Sequence, residues 1–336
     1  WLKSRVDSGQ SMAVAVTDYW AIRGHLSEGR RWLSQALAIE LQAAPALRAA
    51  ALSAAGKLAT RQGDYPTARA LFEQAIALFK VLGDGPALSR AVRSLGIVAD
   101  NEGNSELARL QYQESLDLSR ECADPRGVAA ALTNLGLLAA EAGDAAGARR
   151  LYEEGLGRAS EIGDRGIMGN ALLNLGLLAD DAGQTAEAHT RLEESLARFR
   201  EIGDQWSIAL VLMNLGDLHL SADDDALAEP RLRESLALHR QLGDLATASY
   251  PTFGLGQIAL KRGDAGLARR LMSQSLTWRY EAREMRPIAH NLEKLARLDR
   301  LEGRFERAAR LLGAAAAARV TVQVALKARA LQDVAD

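Results

Sequence analysis

Cysteine is almost missing: Cys122 is the single one in 336 residues. An intramolecular disulfide and any multi-cysteine metal site are thereby excluded. The five histidines, His25, His189, His219, His239 and His290, show no metal-ligand spacing. His189 and Glu193 stand one helical turn apart, too few groups to hold an ion. No metal is expected. Aromatic residues make up 5% and prolines number seven, and no run of β-branched residues reads as a strand. That points to an all-α chain. No apolar run reaches the roughly 18 residues of a membrane-spanning helix; the nearest, Leu311–Leu326, is interrupted by Arg319. With a net charge of −2, no global field draws the chain to nucleic acid or to anionic lipid. Contact with either is not expected. The phosphate loop G-x-x-x-x-G-K-[ST], the nucleophile elbow G-x-S-x-G and a Cys–His pair are absent too, so neither catalysis nor a cofactor is expected. Trp1 opens the chain without a methionine or the charged-then-apolar pattern of a secretory leader. It reads as a piece of a longer, cytoplasmic protein.

What is present is a repeat. A small residue recurs every 40 positions at Gly56, Gly96, Gly136, Gly176, Gly216, Gly256 and Ala296. A second series keeps the same step at Ala68, Ala108, Ala148, Ala188, Ala228, Ala268 and Ala308. Turn signals punctuate both, among them Gly63-Asp64, Gly143-Asp144 and Gly263-Asp264, with a further set at Gly83-Asp84, Gly163-Asp164 and Gly243-Asp244. Self-similarity at this period marks stacked supersecondary units. Between the marks the apolar spacing is helical, as in Leu132, Leu135, Leu138 and Ala139, one stripe of a helix. Each repeat therefore reads as a helix, a Gly-Asp turn, a second helix and a Gly-Asp linker. Glycine takes the left-handed conformation that ends a helix, and aspartate caps the next. Charged side chains alternate in sign, as at Arg149/Glu153 and Arg150/Glu154, the pattern of a solvated helix face.

The pattern extends upstream with a one-residue offset, Gly24, Gly29, Trp32 and Ala36 preceding Gly63, Ala68, Leu71 and Ala75. The expectation is an all-α chain, an α-solenoid forming a right-handed superhelix of about eight helical hairpins. Its repeats are placed at 11–41, 46–82, 87–122, 126–162, 167–202, 207–242, 247–282 and 287–319. Residues 1–10 read as a lead-in from a preceding domain and 320–336 as a capping helix. A soft spot is expected around Ala222–Pro230 and Ser249–Gly256, where Asp223 replaces the turn glycine and Pro230 and Pro251 enter helices. Cys122, in the place of Leu82, Ile162, Ile202 and Leu242, is expected as a small buried hydrophobe.

Leu132, Leu135, Gly136, Ala148, Tyr152 and Gly155 show in one repeat a spacing that resembles the tetratricopeptide repeat family. The resemblance covers nearly the whole chain. Trp20–Leu33 and the closing Arg310-Leu-Leu-Gly-Ala314 look in addition like the helical arm of large bacterial signal-transduction ATPases that regulate transcription. There a DNA-binding domain and an NTPase precede the arm. The resemblance implies an arm that senses a protein, a peptide or a small-molecule inducer and holds an NTPase domain off until it is bound.

In that family the first helix of each repeat lines the binding groove. Asn134, Asn174 and Asn214 sit two residues before the glycine in three consecutive repeats. An asparagine offers both a donor and an acceptor, matching an extended peptide backbone. The series resembles the asparagine ladder of kinesin light chains; the alternative is that each side chain bonds locally and shapes its hairpin. Asp100, Glu102, Glu141, Asp180 and Asp181 follow on later turns, with Asp223-Asp224-Asp225 at a turn. They either focus a field on a basic segment or are solvated helix ends. The leading functional reading is a sensor arm of a signalling ATPase. A free-standing adaptor or peptide receptor is the alternative, and an enzyme with its site between repeats is the third.

Overall fold

The computed structural model describes residues 12, 14–38, 44–282 and 285–332; the lead-in expected over 1–10 lies outside them. Among these residues there are sixteen helices and no strand. They are α1 (Thr17–Arg23), α2 (Leu26–Ala38), α3 (Pro45–Arg61), α4 (Tyr65–Leu82), α5 (Gly85–Asn101), α6 (Ser105–Glu121), α7 (Pro125–Glu141) and α8 (Ala145–Glu161). There follow α9 (Arg165–Asp181), α10 (Thr185–Ile202), α11 (Gln205–Ser221), α12 (Asp225–Gln241), α13 (Leu245–Lys261), α14 (Ala265–Glu281), α15 (Met285–Leu301) and α16 (Phe305–Gln332). Odd-numbered helices open hairpins and even-numbered ones close them. The contacts divide the chain into an N-terminal unit ending at Ile208 and a C-terminal unit beginning at Ala209. Each is an α-solenoid of stacked hairpins.

The turns follow from their sequence. Gly63 has a φ of 73°, a conformation that costs other L-residues. Its N–H donates to the Thr60 carbonyl at 3.0 Å, and the Asp64 N–H to that of Ala59 at 3.0 Å. Two of the carbonyls left open at the helix end are thereby satisfied. The carboxylate of the next residue then caps the following helix, as Asp144 does by accepting the Gly147 N–H at 2.8 Å. Asp223 adopts the same left-handed turn with a φ of 61°.

The two registered series of small residues have a packing cause. A Cβ on Gly96 would stand 2.6 Å from the Tyr112 ring, on Gly136 2.7 Å from Tyr152, and on Gly216 2.5 Å from Leu232. Opening helices α3 to α13 thus carry a glycine against which a large side chain of the partner helix packs. Tyr112, Tyr152, Leu192 and Leu232 are at most 1% exposed. The following hairpin completes their burial, with Leu138 closing on Tyr112, and Leu175 and Leu178 on Tyr152. A hairpin alone could not bury these faces, so stacking makes the core.

Hydroxyls pin the hairpins three residues after the side chain that covers the glycine. Ser195 donates to the Gly169 carbonyl at 2.8 Å, Ser235 to Ala209 at 2.8 Å and Ser275 to Ser249 at 2.7 Å. Ion pairs link neighbouring hairpins at the rim, for example Arg126–Asp164 at 2.7 Å and Arg149–Glu187 at 2.7 Å. Most are exposed and contribute about 0–1 kcal/mol each.

Two expectations meet a different arrangement. The helix expected to begin at 320 is not separate, because α16 runs unbroken to Gln332; no glycine or proline follows Gly313 to stop it. Cys122 is exposed, because its place is the residue that caps the end of α6. Leu82, Ile162 and Ile202 at the same place are also exposed, at 40, 39 and 38%.

Candidate ligand face on the opening helices

Four of the seven expected site residues crowd the C-terminal ends of α5, α7 and α9 in the N-terminal unit. Asp100 is half-buried in the last turn of α5, and its carboxylate faces the Tyr112 hydroxyl. Burial raises its pKa, opposed by that hydroxyl. Glu141 ends α7; burial and then the neighbouring Asp100 raise its pKa. Asp180 stands in the last turn of α9 with Asp181 beside it, and burial followed by that second carboxylate raises its pKa as well. These shifts have one sense. Burial is the larger cause in all three, and a neighbouring carboxylate adds its repulsion at Glu141 and Asp180.

Helix electrostatics make the arrangement more telling. A helix favours acids near its N-terminus and bases near its C-terminus. Apart from the capping aspartates, α5, α7 and α9 do the reverse, with no acidic residue in the first turn and no basic one in the last. Arg90 on α5, Arg126 on α7 and Arg165 on α9 lie in the N-terminal halves instead, and Arg93 stands at the middle of α5. Arg93 is pressed close enough to the protein that burial lowers its pKa. The face therefore runs from basic to acidic along each helix. This polarity runs against the helix dipoles.

The asparagines divide between the two units. Asn134 on α7 is half-buried, and its amide faces the Tyr112 hydroxyl contributed by α6. Asn174 on α9 is half-buried too. Asn214 lies in the C-terminal unit, and its Nδ2 donates to the Leu210 carbonyl of its own helix at 2.9 Å. Local bonding thus accounts for one amide of the series, and a tyrosine for part of another.

Sequence reasoning missed Tyr112 and Tyr152 as members of this face. Their rings are core, but the hydroxyls reach the acids: burial and then Asp100 raise the pKa of Tyr112, and burial and then Glu141 that of Tyr152. The signal was legible, since only these two repeats place a tyrosine over the glycine. Other acids have structural work. Glu102 pairs with Arg69, Asp223 and Asp225 hold Lys261 at 2.6 and 2.8 Å, and Asp224 caps α12 by accepting the Leu227 N–H. Among the described residues no cluster of three His, Cys, Asp or Glu could hold a metal ion, and no helix is long and apolar enough to cross a membrane.

The tetratricopeptide repeat family model matches residues 47–121 and 127–201. Those two segments build α3 to α10. No curated protein matches the chain. Among solved structures, the apo form of the quorum sensor NprR from B. thuringiensis is 13% identical, with 92% of this chain and 87% of that one covered and a TM-score of 0.65. A Rap protein complexed with competence and sporulation factor is 9% identical over 94% of this chain and 99% of that one, with a TM-score of 0.65. The Rap conjugation gene regulator of plasmid pLS20, in complex with the Phr* peptide, is 13% identical over 94% and 96%, with a TM-score of 0.65. At such identities the likeness is one of fold.

Proposed function

We propose that the chain is a binding protein that holds an extended peptide or protein segment along the opening helices of its N-terminal unit. The observation that carries this reading is the polarity of that face. Asp100, Glu141, Asp180 and Asp181 stand where helix dipoles disfavour them, with raised pKa values in three of the four. A lysine or arginine of the ligand would relieve that repulsion, while Asn134 and Asn174 offer amides to its backbone. One neighbour of the same fold was solved with the Phr* peptide bound and another with competence and sporulation factor, which supports the reading.

A random peptide library displayed against the whole chain tests it. Selected sequences should carry lysine or arginine, and Asp100→Asn with Glu141→Gln and Asp180→Asn should weaken the best of them at least ten-fold, about 1.4 kcal/mol. Enrichment of acidic or uncharged sequences, or an affinity untouched by the triple substitution, would defeat the reading. The same ligand would act as a signal if the chain is the sensor arm of a multidomain ATPase that regulates transcription. The resemblance of Trp20–Leu33 and Arg310–Ala314 supports that finer reading. In such a protein, nucleotide hydrolysis should rise when the peptide is added. A free-standing receptor or adaptor would bind the same peptide with no hydrolysis to control.

A further inference from the structure

The side-chain bonds described so far join residues of the same or adjacent hairpins, as stacking requires. One contact does not. The Arg61 guanidinium, at the C-terminal end of α3, lies over the indole of Trp206, at the N-terminal end of α11, 5.6 Å from the ring centroid. Both belong to the N-terminal unit, yet three complete hairpins separate them. Arg61 is positioned from its own side by a donor contact to the Ala21 carbonyl at 3.5 Å. The start of α11 is also more enclosed than its counterparts: Asp204 is 7% exposed, whereas Asp84 is exposed and Asp124 and Asp164 are half-buried. Asp204 accepts the Ser207 N–H at 3.2 Å and its hydroxyl at 3.0 Å, which fixes the first turn that carries Trp206.

We propose that Arg61 and Trp206 form a clasp that closes the N-terminal unit across the opening helices α5, α7 and α9. A guanidinium on an indole face is attractive, and weak enough as a single contact to bias a closed state without locking it. The two partners sit on opposite edges, one at a C-terminal and one at an N-terminal helix end. Their meeting encloses the acidic face, so a segment bound there is threaded or enters when the clasp opens. The role in ligand entry rests on the peptide reading above; the clasp itself does not.

Pulsed dipolar spectroscopy on the whole chain separates the two. With Cys122→Ser as background, spin labels at Gln62→Cys and Gln205→Cys should give a short, narrow distance distribution. Adding Trp206→Ala should lengthen and broaden it, and Arg61→Gln should do the same by a separate route. Circular dichroism checks that helix content is kept in both. A broad or long distribution in the parent, or one unmoved by either substitution in a folded chain, overturns the clasp. Either result leaves the peptide selection standing or falling on its own.

Discussion

The two units share one register and fill it with opposite chemistry. In the N-terminal unit one core position of the opening helix is alanine four times, at Ala51, Ala91, Ala131 and Ala171; in the C-terminal unit it is Val211, Pro251 and Asn291. The position of Ala59, Ala99 and Ala179 becomes His219, Ala259 and Asp299, with His219 8% and Asp299 0% exposed. On the closing helices, the place of Phe79, Ser119, Ala159 and Phe199 passes to His239 and Arg279, at 0 and 3% exposed. The last turn of the opening helices reverses the trade: Asp100, Glu141 and Asp180–Asp181 give way to Leu220, Leu260–Lys261 and Arg300. Apart from the capping Asp204, the buried polar side chains of one unit are small hydroxyls such as Ser89, Ser115 and Ser119, and its acids gather on an open face. The other carries buried polar groups and prolines within its helices. The repeat constrains volume and position; it leaves each unit free to spend its tolerance for misfit in a different place.

The largest test of that contrast is Asp299. Its carboxylate meets Arg269 at 2.7 Å, Arg304 at 2.9 Å and Arg307 at 3.2 Å. Replacing it with the alanine of the other repeats leaves the three arginines without it. Asp299→Ala should destabilise the C-terminal unit by about 2 kcal/mol, below the roughly 3–5 kcal/mol of breaking a fully buried pair because the arginines reach solvent. Arg304 occupies the place of the capping Asp64, Asp144 and Asp264, so adding Arg304→Asp should recover much of that loss. Urea unfolding of both variants measures it; no recovery would mean that the exchange of alanine for aspartate and cap for arginine is not compensatory.

A smaller effect of opposite sign is expected at His239. Both ring nitrogens are buried without a hydrogen-bond partner, and Asp244 stands 3.6 Å from Nδ1. His239→Phe restores the side chain of Phe79 and Phe199 and removes two unsatisfied groups, a gain of about 1 kcal/mol. A lower urea midpoint in the variant would show that the nearby carboxylate outweighs the orphaned nitrogens.

The subtlest difference should emerge on acidification. Folded-state pKa values above the unfolded ones mean that protonation favours the fold. Asp100, Glu141 and Asp180 should therefore add stability to the N-terminal unit as pH falls through their raised values, above the ordinary carboxylate range near about 4. Burial pushes the Asp299 pKa up, but its arginines prevail and hold it low. Its stabilisation is present above that range and is lost as pH falls through its depressed value. Hydrogen exchange read segment by segment should show the N-terminal unit gaining protection first and the C-terminal unit losing it later. Parallel changes in both would erase the contrast.

Much of this was legible in the amino-acid order. The steps through Gly96, Gly136 and Gly176 located the close approaches, because a ring must lie where no Cβ stands. The Gly-Asp pairs located the turns because few residues serve both the left-handed stop and the cap. The exposure of Cys122 was not legible: periodicity names a position without saying whether a helix end lifts it out of the core. Nor was the role of Asn214, since an amide that bonds its own helix reads the same as one that awaits a ligand. The gathering of Asp100, Asn134 and Glu141 about one tyrosine hydroxyl depends on how adjacent helices are rotated, which spacing alone does not fix.

The ring lying on glycine sixteen positions earlier also bears on how such a chain changes length. Tyr112 is closed by Leu138, Tyr152 by Leu178, and the two closing leucines hold the same place in successive blocks. Excising one whole block of forty residues would hand Tyr112 a leucine at the position it already meets, whereas a cut that is not a multiple of forty would move that leucine out of register. Gain and loss of whole blocks is therefore the nearly silent route of variation for this architecture, and the acidic face can lengthen or shorten by one helix at a time.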